Sequence, residues 1–239
     1  MRLVADCHFH TVNSGHAYST INEYATEAAE KGLELIGMTD HGPAMPGGPH
    51  IYHFDNLKIL PDNLHGVEIL KGVEANIIGY DGSMDIRDST LENLDIVISS
   101  FHSPCLKPSS VEENTAAVIK SIENRYVNII GHPDDSRIEL NYTELAKAAA
   151  DNGVMIEINN SSLMPSSYRV NARENYKKLL EECYKYSVYI VINSDAHFHD
   201  DIGEVDEAFE LVKNLGYPKD LIANANIGKL KQRLEIRRR

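Results

Sequence analysis

The chain contains no tryptophan and only three cysteines among its 239 residues. Cys7, Cys105 and Cys183 are odd in number, lie far apart and form no CxxC pair, so the sequence does not predict a disulfide framework. We expect reduced thiols in a reducing compartment. Cys7 alternates with His8 along the first apolar run, and we therefore expect its side chain to face away from the histidine and pack in the core.

Positive charge is also scarce, with 23 Lys and Arg against 36 Asp and Glu and a formal net charge of −13. This balance argues against a nucleic-acid or membrane partner, although a small anion can still enter a locally positive pocket. No run approaches the roughly 20 apolar residues of a membrane span. The apolar run within Met1–Asp6 is too short for a signal peptide. We therefore expect a cytoplasmic location.

Short apolar runs alternate with amphipathic segments along the whole chain, and 42% of the residues are hydrophobic. Thr20 with Glu23, and Ser110 with Glu113, have the spacing of helix capping boxes, and Gly153 is a plausible helix end. Uniformly apolar strands are typical of a parallel sheet that is covered on both faces. We predict one α/β domain over residues 1–239, with strands at Leu3–Ala5, Leu33–Met38, Val67–Val73, Asp95–Phe101, Val127–Gly131, Val154–Ile158 and Val188–Ile192.

Several segments lie outside this alternation. Pro43–Pro61 carries four of the nine prolines and predicts a long loop, with a short helix near Asp55–Ile59. Leu221–Ala223 is the candidate for an eighth strand position, and Arg237–Arg239 is expected to be a solvated basic end. Three histidines lie in or just beyond the long loop and are expected at the surface or on the substrate side: His50, His53 and His65.

Metal-binding side chains follow the predicted strands. Asp6, His8 and His10 are spaced by two, so on a strand they can face the same way, and two adjacent imidazoles begin a metal site. Six of the seven predicted strands are followed closely by such a residue. The candidate metal ligands are His8, His10, His16, His41, Glu74, His102, His132, Asp195 and His197.

This distribution favours a closed barrel over an open sheet. A barrel brings the carboxyl ends of all its strands to one face, whereas an open sheet spreads them along an edge. Nine candidate ligands suit two or three ions. Neutral imidazoles add no charge, so Glu74 and Asp195 offset only part of the charge of several divalent ions. The resulting positive pocket fits a phosphate monoester better than a neutral amide.

Two further residues are candidates for supporting roles. Asp6 is expected to orient a ligand histidine rather than to bind metal itself. Arg137 follows Gly131-His132-Pro133 and is a candidate for binding the substrate phosphate, with a surface position as the alternative. The general acid is not identifiable from the sequence.

The combined motifs resemble the polymerase and histidinol phosphatase (PHP) family, and in particular its single-domain, YcdX-like phosphatase branch. They are Asp6-x-His8-x-His10, Thr39-Asp40-His41, Glu74, His102, Gly131-His132-Pro133 and Asp195-Ala-His197. The resemblance spans nearly the whole chain. It implies a distorted seven-stranded (β/α)7, TIM-like barrel with a trinuclear metal site, most often of zinc, with manganese or iron in some members.

The resemblance also implies how the ligands are shared. By position, one ion takes His8, His10, Glu74 and Asp195, a second shares Glu74 and takes His102 and His132, and the third takes His16, His41 and His197. The expected activity is hydrolysis of small phosphorylated metabolites by a hydroxide held on the three ions. The alternatives are a histidinol phosphatase, a phosphodiesterase or exonuclease, and a metal-binding module without turnover. A homo-oligomer is possible.

Overall fold

The computed structural model describes residues 3–236 and confirms the predicted alternation of strands and helices. Its strands are β1 (Ala5–Phe9), β2 (Leu35–Met38), β3 (Asn63–Leu64), β4 (Val67–Asn76), β5 (Ile96–Ser100), β6 (Ile129–Ile130), β7 (Met155–Asn159) and β8 (Ile190–Asn193). Its helices are α1 (Ile21–Glu30), α2 (Ile51–Asp55), α3 (Asp88–Leu91), α4 (Val111–Ile122), α5 (Tyr142–Asn152), α6 (Ala172–Lys185), α7 (Asp206–Asn214) and α8 (Ile227–Ile236).

Seven of these strands form a parallel sheet that nearly closes into a barrel, in the order β1-β2-β4-β5-β6-β7-β8. The short strand β3 pairs antiparallel with β4 outside this order. The ends of the sheet meet beyond β8, where Phe9 forms a parallel bridge with Ala196. The amide of Asp195 donates to the carbonyl of His8 (3.0 Å), and the amide of His10 donates to the carbonyl of Ala196 (2.8 Å). This seam, where the two ends of the sheet meet, therefore lies beside the predicted ligands His8, His10 and Asp195.

Local sequence signals set several of the helix ends. Thr20 and Glu23 form a capping box at the start of α1, and the Ser110 side chain accepts a hydrogen bond from the Glu113 amide at the start of α4. Gly153 ends α5 with a left-handed backbone (φ 68°), which glycine adopts without a steric penalty. The Thr20–Glu23 capping box and the helix end at Gly153 are confirmed, whereas Ser110 and Glu113 form only half of a capping box, because the Glu113 side chain bonds to the Ser109 hydroxyl instead.

The barrel interior is apolar at one end and polar at the other. Side chains two apart on a strand share a face, so Leu70 and Glu74 of β4 line the same side as each other, as do Met155 and Glu157 of β7. The apolar end forms one buried cluster, which includes Cys7 as predicted. Helix α8 packs against this cluster through Leu230 and Leu234 and covers the apolar end. The other end is left for polar groups.

Some predicted boundaries were wrong. Strand β1 begins at Ala5 and runs past His8 to Phe9, because buried histidine and aspartate interrupt the apolar pattern without ending the strand. Leu221–Ala223 is not a strand: two 3-10 helices, Lys219–Leu221 and Ala223–Ala225, flank Ile222, which makes a single bridge to Ile190.

The long loop also differs in detail. Its helix, α2, lies before the predicted Asp55–Ile59 position, and a 3-10 helix follows at Leu57–Ile59. Strand β3 and helix α3 are too short to produce a recognisable period and were not predicted. Arg237–Arg239 lies outside the described residues. Among residues 3–236, no helix is long and apolar enough to cross a membrane.

The position of α8 yields a test of how the barrel is closed. Leu230 is fully buried and Gln232 is exposed on the same helix. We expect Leu230→Ala to lower the free energy of unfolding by about 2–5 kcal/mol, because it leaves a cavity beneath the strands. Gln232→Ala should change it by no more than about 0.5 kcal/mol. Urea unfolding followed by circular dichroism measures both, and similar small values would contradict this account of α8.

Candidate metal centre

All nine predicted ligands lie in one connected cluster at the polar end of the barrel. His8 lies within β1 and Glu74 within β4, whereas the other seven lie in the segments that follow strands. Four overlapping groups have ligand atoms within 4.8 Å of one another: His10–His41–His197, His8–His132–Asp195, His8–His10–Glu74 and His41–Glu74–His102. The parallel strands therefore deliver the side chains to one place, as the spacing predicted.

Glu74 is the centre of the cluster, and its carboxylate is fully buried. One oxygen, Oε2, lies 2.6 Å from His41 Nδ1 and 3.6 Å from Nε2 of both His8 and His10. The other, Oε1, lies 2.7 Å from His132 Nε2 and 3.3 Å from His102 Nε2. One carboxylate thus faces five imidazoles and can bridge two ions.

A second carboxylate, that of Asp195, also approaches His8 and His10. Asp195 Oδ1 is 3.1 Å from His10 Nε2 and 3.5 Å from His8 Nε2, and these two nitrogens are 3.1 Å apart. Both carboxylates therefore approach the same pair of Nε2 atoms. This is the ligand set that the family resemblance implies for the first ion.

Neighbouring groups fix the tautomers of His8 and His10. Nδ1 of His8 lies 2.8 Å from Glu157 Oε1, a carboxylate oxygen that can only accept, so Nδ1 carries the proton. Nδ1 of His10 lies 3.2 Å from Ser14 Oγ, whose own hydrogen is donated to Asp40 Oδ1 (2.6 Å). His10 must then donate to the serine. In the neutral form of each ring, Nε2 is then a lone pair that faces Glu74 and Asp195.

The same arrangement recurs at His102 and His197. His102 Nδ1 lies 2.7 Å from Asn76 Oδ1, and His197 Nδ1 lies 3.0 Å from the backbone carbonyl of Asp195. Both partners are acceptors, so both rings are protonated at Nδ1. The Nε2 atom of His102 therefore directs a lone pair at Glu74 Oε1. Metal-binding histidines characteristically donate their second ring nitrogen in this way.

These groups fit metal ions. His8 Nε2, His10 Nε2, Glu74 Oε2 and Asp195 Oδ1 are all acceptors, they are close together, and they bring no hydrogen with them. Glu74 Oε2 and His132 Nδ1 are among the buried polar atoms without a hydrogen-bond partner. A buried set of acceptors is stable only around a cation. Imidazole and carboxylate ligands suit zinc, manganese or iron.

The remaining histidines lie on the outer side of the cluster. His16 Nε2 is 3.2 Å from His41 Nε2, and the rings of His16 and His197 are stacked with centroids 4.9 Å apart. His10 and His197 have ring centroids 4.4 Å apart, which connects this group to the inner ligands. His16, His41 and His197 are the set assigned to the third ion.

Burial and the neighbouring carboxylates set the protonation states of the histidines in the cluster. Burial lowers the pKa of His102 to about 4 and lowers the pKa of His10 well below its usual value, so both remain neutral and able to bind metal. Burial also opposes charge on His8, but Glu157, Asp195 and Glu74 outweigh it and raise the pKa of His8 well above its usual range. This histidine strongly attracts a cation, whether a proton or a metal ion.

Both carboxylates of the cluster are held ionised. Burial favours the neutral form of Glu74, but His102, His41 and His8 outweigh it and lower its pKa well below the usual value. The pKa of Asp195 is likewise lowered against burial, chiefly by His8 and His10. Ionised carboxylates are the form that binds and bridges metal ions.

Two of the predicted ligands have an unusual backbone. His132 (φ 30°) and Asp195 (φ 57°) lie at positive φ, which costs a non-glycine residue about 1–3 kcal/mol. Each follows a strand by two residues, and the turn directs the side chain back over the barrel end. Such strain is concentrated at functional sites.

Asp6 and Arg137 occupy different positions from the ligands. Asp6 is buried and accepts hydrogen bonds from the backbone amides of His8 (3.3 Å), Ser194 (3.2 Å) and Gly203 (2.8 Å). It thus supports the backbone at the seam of the barrel and has no hydrogen bond to a ligand ring. Arg137 has a half-exposed side chain that is paired with Asp135.

An open cleft of about 520 Å³ lies over the cluster. His16, His41, His102, His132, Asp195 and His197 lie in its floor, and its walls include Met45, Phe101, Ser103, Pro104, Arg137, Ile138, Ser167, Tyr168 and Arg169. The side chain of Arg169 is only 7% exposed and lies 3.4 Å from Asp134 Oδ1. The guanidinium groups of Arg137 and Arg169 lie 5.3 and 5.5 Å from the centre of the Tyr168 ring. The cleft thus carries two cationic side chains.

The sequence analysis did not identify Glu157 or Arg169. Glu157 is a lone charge within an apolar strand, two residues from both Met155 and Asn159, and this alternation was a visible signal that it faces the barrel interior. Arg169 lies in an irregular segment where no period indicates a direction. Of the three loop histidines, His53 approaches the site most closely, with Nε2 3.2 Å from Asp40 Oδ2. His50 caps α2, and His65 contacts Asn22.

Curated relatives match this chain over nearly its whole length. A probable phosphatase of Thermoanaerobacter sp. (strain X514) is 47% identical over all of this chain and 97% of its own length. A probable phosphatase of Acetivibrio thermocellus is 44% identical over 96% of this chain and 94% of its own.

At the level of structure, histidinol phosphate phosphatase of Lactococcus lactis, solved with zinc, L-histidinol and phosphate, is similar with a TM-score of 0.65. The similarity covers 91% of this chain and 95% of that one at 19% identity, which shows a shared fold. The model of the PHP domain matches residues 6–161, the segment from Asp6 through β7 that carries seven of the nine clustered ligands. The chain therefore belongs to the PHP domain family.

Proposed function

We propose that this protein is a metal-dependent hydrolase of phosphate monoesters of small molecules, with the whole chain, 1–239, acting as one domain. The observation that carries the proposal is the set of acceptor atoms around Glu74, with the imidazole protons turned outward, beneath a cleft that contains arginine. The acceptor atoms around Glu74 require cations, and the arginine in the cleft favours an anion. A phosphate ester bound to metal ions satisfies both.

The ligand sets follow the three groups of contacts. His8, His10, Glu74 and Asp195 would hold one ion, Glu74 with His102 and His132 a second, and His16, His41 and His197 a third. Zinc is the first candidate, with manganese or iron as alternatives for the same ligands. When bound, the ions would supply a nucleophile at neutral pH, by lowering the pKa of bound water to about 7, and would neutralise the phosphate oxygens.

The chain's own side chains would orient the substrate. Arg169, buried in the cleft wall and fixed by Asp134, is placed to donate to phosphate oxygens, and Arg137 is a second, more exposed donor. Met45, Phe101, Pro104 and Ile138 give another part of the wall an apolar surface on which the leaving group can pack. The open shape admits a small organic group beyond the phosphate.

The comparisons support this proposal. Close relatives that match nearly their entire length are named probable phosphatases. The structure of similar fold from Lactococcus lactis contains zinc, a phosphate and an organic alcohol, L-histidinol. Histidinol phosphate is therefore one candidate substrate among small phosphate monoesters. The net charge of −13 disfavours the alternative of a nuclease, which must bind a polyanion over many contacts.

Metal binding should depend on Glu74. We expect the full-length protein to bind about three zinc ions, and a metal concentration of about 1,000 times Kd to stabilise it by about 4 kcal/mol for each site. Glu74→Gln should lose at least one ion and most of this gain, because an amide brings hydrogens into the set of acceptors. Elemental analysis and thermal unfolding with and without chelator measure both, and an unchanged zinc content would contradict the assignment.

Hydrolysis should be selective for monoesters. We expect zinc-loaded protein to release nitrophenol from p-nitrophenyl phosphate far faster than from bis(p-nitrophenyl) phosphate. His8→Ala should abolish this activity. His65→Asn is the matched control, because His65 lies outside the cluster and has a left-handed backbone that asparagine tolerates. Preferred cleavage of the diester would favour a phosphodiesterase, and no turnover of either compound would favour a metal-binding module.

The two arginines should contribute unequally. We expect Arg169→Lys to lower kcat/KM about 10- to 100-fold, because a buried charge-assisted hydrogen bond contributes about 1.5–3 kcal/mol and lysine lacks the planar fork. Arg137→Lys should have a smaller effect, since that side chain is half exposed and already paired with Asp135. Steady-state kinetics on one monoester compares them. A larger loss for Arg137 would assign the phosphate contact to that residue instead.

A further inference from the structure

Asp85 contacts the last residue of β4 although it lies nine positions farther along the chain. The strand continues into a tight turn in which Ile77 and Met84 form an antiparallel bridge, and the amide of Asp85 donates to the carbonyl of Asn76 (3.1 Å). This turn brings the Asp85 carboxylate against Asn76, whose side chain contacts His102. Asp85 belongs to none of the motifs that identified the site.

The Asp85 carboxylate is an acceptor for three N–H groups. Oδ1 accepts from the Asn76 amide (2.9 Å), and Oδ2 accepts from Asn76 Nδ2 (2.6 Å) and from the Ala44 amide (2.9 Å). Glycine at position 42 leaves room for it, because a Cβ there would overlap both carboxylate oxygens. Asp85 thus joins the end of β4 to the segment that follows His41.

This contact determines which way the Asn76 side-chain amide faces. Nδ2 donates to Asp85 Oδ2 and also lies 3.2 Å from the carbonyl of Gly42, so acceptors occupy its side of the amide. Oδ1 is therefore turned towards His102 Nδ1, at 2.7 Å. A reversed amide would set the Asn76 oxygen against the Asp85 carboxylate and the Gly42 carbonyl, all acceptors, and would present an N–H donor to His102.

The direction of the amide in turn determines the tautomer of His102. Because Asn76 Oδ1 only accepts, His102 is protonated at Nδ1 and directs the lone pair of Nε2 at Glu74 Oε1, 3.3 Å away. The opposite tautomer would place a hydrogen between Nε2 and Glu74. That hydrogen would occupy the position of a metal ion.

We propose that Asp85 is a positioning residue that fixes the Asn76 amide, and through it the metal-binding tautomer of His102. The part of this inference that concerns ion retention rests on the proposed function, whereas the part that concerns the tautomer does not. Groups that orient metal-binding histidines typically change metal affinity or activity by about 10- to 100-fold when they are altered.

The test compares Asp85→Asn with Asp81→Asn in the full-length chain. Asp85→Asn keeps the shape of the side chain but replaces one carboxylate oxygen with an NH2 group. In either orientation, that group faces at least one N–H donor of Asn76 or Ala44. Asp81 lies in the same turn, is exposed and bonds locally to Ser83, so it is the matched control. The readouts are the ring ¹⁵N chemical shifts of His102, assigned by their loss in His102→Gln, and the rate at which a chelator removes zinc.

We expect wild-type His102 to be protonated at Nδ1. Asp85→Asn should shift its ¹⁵N signals towards the other tautomer and speed zinc loss about 10- to 100-fold, whereas Asp81→Asn should change neither. A wild-type His102 protonated at Nε2 overturns the proposal without reference to any variant. So does an Asp85→Asn protein with unchanged ¹⁵N shifts and zinc loss within about two-fold of wild type.

The tautomer readout separates this inference from the proposed function. If wild type binds no zinc but His102 changes tautomer in Asp85→Asn, the positioning role stands and the proposed function fails. If Asp85→Asn does not fold, Gly42→Ala provides the second variant, because its Cβ would overlap both Asp85 carboxylate oxygens and displace them. An unchanged His102 tautomer in folded Gly42→Ala overturns the proposal.

Discussion

The structure depends on one electrostatic constraint, which is that lone pairs of buried nitrogens and oxygens face one another at the end of the barrel. Around Glu74 and Asp195, His8 and His10 present Nε2 atoms whose hydrogens lie on the opposite side of each ring. Such a set repels itself unless a cation lies among its members. The surrounding fold must therefore hold the rings in place and also keep their protons turned away.

The barrel meets this requirement because the same strands contribute side chains to the apolar core at one end and to the metal-binding cluster at the other. Side chains such as Leu70 and Met155 pack in the apolar end, and the next residues on the same face, such as Glu74 and Glu157, reach the polar end. The apolar end is covered by α8, whose Leu230 and Leu234 belong to the same buried cluster. Because stability and ligand placement share the same strands, Glu74 and Glu157 are held by a packed core.

The sequence predicted the fold class and the convergence of the nine residues because both depend on the periodic pattern of apolar residues. Apolar runs separated by amphipathic helices indicate a parallel barrel, and metal-binding residues just beyond those runs must meet at one end. Contacts made by turns and loops, which have no periodic pattern of apolar residues, could not be predicted. Asp85 reaches Asn76 only because a turn folds back, and Arg169 points into the cleft from an irregular loop. Residue type and spacing carry no information about such directions.

The tautomer contacts explain why the site involves nearly the whole chain. Glu157 of β7 orients His8, Ser14 of the first loop orients His10, and Asn76 of β4 orients His102. His8 and His102 are thus held by strands other than the ones they lie in or follow, so their geometry is correct only when the strands are in register. The positive φ of Asp195 can persist for the same reason, since its neighbours on β1 hold the turn at the barrel seam.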